Sequence, residues 1–332
     1  MIRHLAVIAL VGGANAFGAA NDCDRACLKT SLDQYMSAVI KHDPAAAPLF
    51  PGFRQTENAV VVRLGTGVWK TVTALGKVQR RYLDAVNGQA AYFGTVEEGA
   101  EKAIVTVRVR VENRKITEAE WLIARKDNPG LNGVTETGAP SGNFFEPDAL
   151  AANPPVERVL AKDARSSRET LIAVTNSYFD GITTHDGSII MAVPGCSRTE
   201  NGNTVTGRGA TGRGAAKGAP AAAKGGPAPA SDCTSNLANI NVQNVAARRY
   251  PVVDEEAGVV LAMAVFLRKP GTTTRRNVFS EWFIIDNNKI TSIYSAMFYP
   301  TPELPVPNWP PYDGNWPLSP TLATPVPPAP AR

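Results

Sequence analysis

The sequence predicts an α+β fold built twice within one chain. Three observations carry that prediction. Tyr35, His42-Asp43 and Thr56-Glu57-Asn58 recur as Tyr178, His185-Asp186 and Thr199-Glu200-Asn201, every one displaced by 143 positions. Arg80-Arg81-Tyr82 returns as Arg248-Arg249-Tyr250 at a displacement of 168, and Lys115-Ile116-Thr117 as Lys289-Ile290-Thr291 at 174, so order is kept while loops grow. Each copy also opens with apolar residues at helical spacing and ends in an alternating, strand-like hairpin. The first jump in displacement coincides with a Gly/Ala/Lys/Pro tract at 207–230.

At the N-terminus, Met1-Ile2-Arg3-His4 precedes an apolar stretch from Leu5 to Val11 and small residues ending Gly18-Ala19-Ala20. That order predicts a secretory signal over 1–20, with cleavage after Ala20 favoured over cleavage after Ala16, and a secreted or periplasmic protein. The apolar stretch is too short to span a bilayer and no later run approaches twenty residues, so no membrane span is expected. Export makes the four cysteines disulfide partners. Of the three possible pairings, Cys196 with Cys233 is preferred because it clamps the base of the tract; Cys23 then pairs with Cys27, one helical turn away. A zinc site is the alternative, but the spacing lacks paired Cys-x-x-Cys knuckles.

Residues 24–41 place Leu28, Leu32, Tyr35, Met36 and Val39 on one helical face. Asp43-Pro44 then caps a short second helix expected to run to about Leu49. Copy two runs the same way, with a helix over 167–183 and Asp186 as the cap. Strands are predicted at 60–62, 90–96 and 259–267, with Asn87-Gly88 as a hairpin turn. The clearest strand is 105–111, where valines face one way and Thr106, Arg108 and Arg110 the other, followed by a turn and a partner strand at 116–124. Its copy-two counterpart, 278–285 with 289–298, is apolar on both faces and should be covered on both. The sheet of the other copy is the simplest cover, which predicts an internal pseudo-dimer.

The resulting division is a first domain over 21–125, a connector over 126–165, a second domain over 166–300 interrupted by the disordered 207–230 insertion, and a Pro-rich arm and tail over 301–332. A hydrophobic content of 44% suffices for two cores. A formal charge of +4 with no concentrated basic patch gives no nucleic-acid footprint.

The helix ending Tyr35-x6-His42-Asp43-Pro44, the terminal hairpin 105–124 and their copies resemble the cone-shaped nuclear transport factor 2-like (NTF2-like, SnoaL-like) superfamily. The Arg248 to Glu256 segment and Ser280-Glu281-Trp282-Phe283-Ile284-Ile285 look like a secreted family holding two such domains. The resemblance implies two tandem cones, each with helices on a bent antiparallel sheet. This superfamily hosts dehydratases, isomerases, epoxide hydrolases, cyclases and non-catalytic carriers, so it implies no single activity.

Catalysis in such cones uses groups projecting into an apolar cavity, where burial raises a carboxyl pKa into a useful range. Glu120, Glu281 and Glu57 are therefore the candidate acids and bases, with Glu118 beside Glu120 on its strand face. Glu281 is expected either as a pocket acid or as a charge paired across the copies. Tyr35, Trp69, Tyr82 and Tyr92 are candidate ligand-lining residues in copy one, and Tyr178, Glu200, Tyr250 and Tyr294 in copy two. For Glu57 and Glu200 the competing reading is a backbone-satisfying role beside a turn. For the tyrosines it is core packing. His42 and His185 sit beside capping aspartates and do not read as catalytic; no triad, three-histidine metal site or phosphate-binding glycine motif is present, and no cofactor is expected. Copy two is expected to lack a counterpart of Gly65 to Lys70, the tract having taken its place, so the working pocket is expected in copy one. The function expected is binding of a small apolar organic molecule, with cofactor-independent lyase, dehydratase or isomerase chemistry; the alternative is a non-catalytic ligand-binding or protein-interaction module.

Overall fold

The structure, a computed structural model, describes residues 22–207, 231–272 and 274–300. The predicted signal peptide, the body of the 207–230 insertion and the 301–332 arm lie outside the described residues. The fold is α+β: two six-stranded sheets, each with one long helix, in two similar halves.

Copy one comprises α1 (Arg25–Ile40), β1 (Leu49–Glu57), β2 (Val60–Val62), α2 (Val68–Thr71), β3 (Ala74–Asp84), β4 (Gln89–Glu98), β5 (Glu101–Glu112) and β6 (Lys115–Arg125). The connector carries α3 (Pro147–Ala152), whose Leu150 is buried. Copy two comprises α4 (Arg168–Thr184), β7 (Ala192–Glu200), β8 (Asn203–Thr206), β9 (Val242–Asp254), β10 (Val259–Arg268), β11 (Asn277–Asp286) and β12 (Lys289–Phe298). Strand orders are β2-β1-β6-β5-β4-β3 and β8-β7-β12-β11-β10-β9, so the topology is the same in both. The first strand of each copy runs parallel to the last; the other neighbours are antiparallel.

Local chemistry explains the element boundaries. Asp24 caps α1 through the Cys27 N–H and Ser167 caps α4 through the Thr170 N–H, each satisfying an orphan helix donor. The helices stop at His42 and His185, both left-handed, with φ of 57° and 60°. The second helix predicted to reach Leu49 is a single 3₁₀ turn, Pro44–Ala46, capped by Asp43. Pro48 forces Ala47 out of the helical region, and the chain enters β1 instead. The two terminal hairpins turn on Asn113-Arg114 and Asn287-Asn288, all at positive φ, as a two-residue turn of matching twist requires.

Both expected disulfides are present, Cys23 with Cys27 and Cys196 with Cys233. The second closes the base of the insertion, where the Gly207 N–H also donates to the Ser231 carbonyl at 2.7 Å. Such bonds fit an oxidising compartment. No helix among the described residues is long and apolar enough to cross a membrane.

The sheets face each other. Val105, Val107 and Val109 point at α1 as the alternation predicts, yet Thr106 and Arg108 on the opposite face are equally buried, because copy two covers them. Ser280 donates to the Thr106 hydroxyl at 2.7 Å, and these two residues occupy equivalent positions, 174 apart. Tyr82 stacks on Trp282 with centroids 4.9 Å apart. At the end of the contact the pairing is reciprocal. Arg25 of α1 grips Asp254 at 2.8 Å, and the equivalent Arg168 of α4 grips the equivalent Asp84 at 2.8 Å. Each aspartate also accepts a backbone N–H from the other copy, Leu83 to Asp254 and Val253 to Asp84.

Candidate functional site

The clearest way to locate a site is to compare the cores beneath the two long helices. In copy one, the Tyr35 hydroxyl donates to Gln55 Oε1 at 2.8 Å and accepts from Trp121 Nε1 at 2.8 Å. Trp69 Nε1 donates to the same Gln55 oxygen at 2.8 Å, its ring standing edge-on to Tyr35. Gln55 Nε2 then donates to Glu57, which also caps α2 by accepting the Val68 N–H at 2.9 Å. Gly67 is obligatory beside it: its φ is +58°, and a Cβ there would lie 2.2 Å from a Glu57 oxygen. Burial raises the Glu57 pKa, opposed by the Val68 and Gln55 hydrogen bonds. Every polar group named here has a partner, and two indoles fill the space.

Copy two keeps the tyrosine and changes its surroundings. The counterpart of Trp69 is Leu237, at the displacement of 168 that also relates Arg80 to Arg248. A matched contact confirms the correspondence: His42 Nδ1 meets the Trp69 carbonyl and His185 Nδ1 the Leu237 carbonyl. The 65–70 segment therefore does have a counterpart, the 3₁₀ turn Leu237–Asn239, contrary to the expectation that the tract replaced it. Register also places Ser295 where copy one has Trp121, since Glu57 pairs with Trp121 and Glu200 with Ser295. Two tryptophans have thus become leucine and serine. Beside Leu237 lies a partly enclosed cavity of about 220 Å³ walled by Tyr178, Ile182, Leu237 and Phe266, with Arg198, Glu200, Arg268 and Asn277 in its polar lining.

Two further exchanges accompany the cavity. Gln55 is replaced by Arg198, and Val107 by Glu281. Arg198 Nη1 donates to Glu200 at 2.5 Å and Nη2 to Glu281 at 2.9 Å, while its guanidinium lies over the Tyr178 ring. Glu281 is fully buried, and among the described residues its Oε2 has no hydrogen-bond partner. Burial raises its pKa to about 7, against the pull of Arg198 and with added repulsion from Glu200. Those same carboxylates hold the Arg198 pKa well above its usual range despite burial. The cluster is a guanidinium shared by two carboxylates, one of which exchanges its proton near neutrality.

Of the predicted site residues, Tyr178, Glu200 and Glu281 are brought together, all in copy two. None of the copy-one set lines the cavity described above. Tyr35 and Trp69 are core, Tyr92 donates to the Val78 and Thr95 carbonyls, and Tyr82 donates to the Val156 carbonyl. Tyr250 bonds to Asn176, and Tyr294 reaches the Pro154 carbonyl at 3.5 Å. Glu120, expected as an acid or base, is instead clasped by two arginines: Arg108 Nε at 2.9 Å and, from copy two, Arg249 at 3.2 Å. Glu118 completes the group through Arg108 at 2.9 Å. Oxygens held by guanidinium groups accept a substrate proton poorly, so the structure gives Glu120 an interface role. Glu281 is paired within its own copy, not across the copies. Arg198 was absent from the sequence-derived candidates; strand parity places it on the same face as Glu200, two residues on, which is the signal that could have found it.

Residues 164–297 match the family model of a domain of unknown function, DUF8021. That segment holds α4, Arg198, Leu237, Glu281 and Ser295. No curated protein matches the chain.

Proposed function

We propose that the protein is a secreted tandem NTF2-like protein whose copy-two cavity binds a small, largely apolar organic molecule. The observation that carries this reading is the 220 Å³ cavity beneath α4, with a buried tyrosine and a carboxylate-bound arginine at its polar side. Supporting the cone assignment are the shared strand order and the single long helix over each sheet. The reciprocal Arg25 to Asp254 and Arg168 to Asp84 contacts favour an internal pseudo-dimer, since residue i meeting j and j meeting i is the signature of an isologous contact. The test is to purify the protein from its native host and analyse organic extracts by mass spectrometry. Wild-type protein should carry a compound that Leu237→Trp, which restores the copy-one filling, does not. Identical extracts from the two proteins would refute the cavity reading.

A second reading, cofactor-independent lyase or isomerase chemistry, is favoured by one observation: two carboxylates share a single arginine at the cavity, Glu200 on its lining and the fully buried Glu281 behind it. In that case Glu200, which lines the cavity, is the carboxylate that exchanges a proton with the substrate, and Glu281 acts through Arg198, which it shares with Glu200. Glu281→Gln separates the readings, because it would abolish turnover of the co-purified compound while leaving its retention unchanged.

A further inference from the structure

The hydroxyl of Tyr178 has lost both partners that its copy-one twin enjoys. Tyr35 donates to Gln55 and accepts from Trp121. In copy two the acceptor has become Arg198, a side chain with donors alone. The donor has become Ser295, whose hydroxyl is turned away to the Thr199 carbonyl at 3.1 Å. Among the described residues the Tyr178 hydroxyl has no hydrogen-bond partner, although the residue is 1% exposed and lines the cavity. Tyr178 lines the cavity, where Ile182, Leu237 and Phe266 offer no acceptor and the acceptor-bearing Glu200, Asn241 and Asn277 make no hydrogen bond to its hydroxyl, so an occupant's oxygen can take that place.

Charge narrows the class of occupant. Arg198 is already answered by Glu200 and Glu281, and the cavity's other arginine, Arg268, donates to the Arg275 carbonyl and to Asn277, so both guanidinium groups are engaged. Size and shape narrow it further. A dry apolar cavity of about 150 Å³ holds a benzene ring, and the cavity here is about 220 Å³, at a place that copy one fills with the flat indole of Trp69.

Resting on the cavity reading above, we propose that copy two takes a neutral, flat molecule of one or two rings that presents an acceptor oxygen to the Tyr178 hydroxyl. The ring occupies the space of the missing indole, and the oxygen replaces the lost Gln55 acceptor.

The test uses the full chain and three probes of similar size: coumarin, which is neutral with a carbonyl oxygen; naphthalene, which has no acceptor; and 2-naphthoate, which is anionic. Binding is followed by ligand-observed NMR and calorimetry. Wild-type protein should bind coumarin about tenfold more tightly than naphthalene, the worth of one hydrogen bond. Tyr178→Phe should erase that advantage and leave naphthalene binding unchanged, which also shows that the variant is folded. Leu237→Trp should abolish binding of both. Equal affinities in wild type, or a coumarin preference that survives in Tyr178→Phe, would overturn the acceptor-oxygen assignment and leave the cavity reading intact. Tightest binding by 2-naphthoate would overturn neutrality. Binding of no probe, or binding undiminished in Leu237→Trp, would overturn the cavity reading itself.

Discussion

Beneath α1 the tyrosine, the glutamine and two indoles form a closed set in which each donor meets an acceptor. Beneath α4 the same tyrosine faces a cavity, and the glutamine has become an arginine that draws in two carboxylates. The two halves keep one fold because strand order and a side-chain cap at each long helix are common to both; they differ at side chains that face the helix, among them the four exchanges described above. Duplication lets one copy stay a filled, stabilising partner while the other accepts a cavity and a buried charge cluster. Each such feature lowers stability by itself, and the interface shared with a solid partner offsets it.

Substitutions in each half test how far the two cores differ. The largest effect is expected at the contact between the halves: Glu120→Ala leaves Arg108 and Arg249 facing each other in the interior and should cost about 3–5 kcal/mol in urea denaturation. Next is a pH effect confined to copy two. Folding raises the Glu281 pKa from 4.5 to about 7, so the folded state holds that proton more tightly than the unfolded chain. Its contribution is therefore fully present below about pH 4.5 and lost as pH rises to about 7, a span worth about 3 kcal/mol. Glu281→Gln should remove that slope from the stability profile; an unchanged difference between pH 5 and pH 7.5 would show that Glu281 is not desolvated. Trp69→Leu, which gives copy one the side chain of copy two, should cost about 2–3 kcal/mol and open a second cavity visible by xenon binding. Arg25→Ala and Arg168→Ala should each cost about 1–2 kcal/mol and match each other closely, since both leave an equivalent buried aspartate with only backbone donors; a clear mismatch would argue against symmetric pairing. Smallest is Leu237→Trp, which should raise the urea midpoint by about 1 kcal/mol of added stability through cavity filling.

Much of the architecture was legible because it rests on local chemistry. The helical spacing of Leu28, Leu32, Tyr35 and Met36, the Asp43 and Asp186 caps, and the alternation around Val105 to Val111 each describe a neighbourhood of a few residues. The doubled apolar faces of 278–285 correctly announced a cover on both sides. The site was legible in part: Tyr178, Glu200 and Glu281 were named, and Arg198 was missed because its partners come from β7 and β11, far apart in sequence. The Trp69 counterpart was hidden for a different reason, the insertion that lies between Gly207 and Leu237.

The duplication, the long helices and the terminal hairpins were readable in the residues alone, since repeats, periodicity and spacing are properties of a line of residues; the cysteine pairing was a preference among three that the fold then decided. Which carboxylate is clasped by arginines and which is left desolvated was decided by tertiary structure alone. Glu120 and Glu281 both sit on apolar strands, and their chemistry diverges because two guanidinium groups, one from the other half, converge on the first, while the second has a single arginine that it must share. Electrostatic environment is set by distances in space, and a strand pattern carries no record of them.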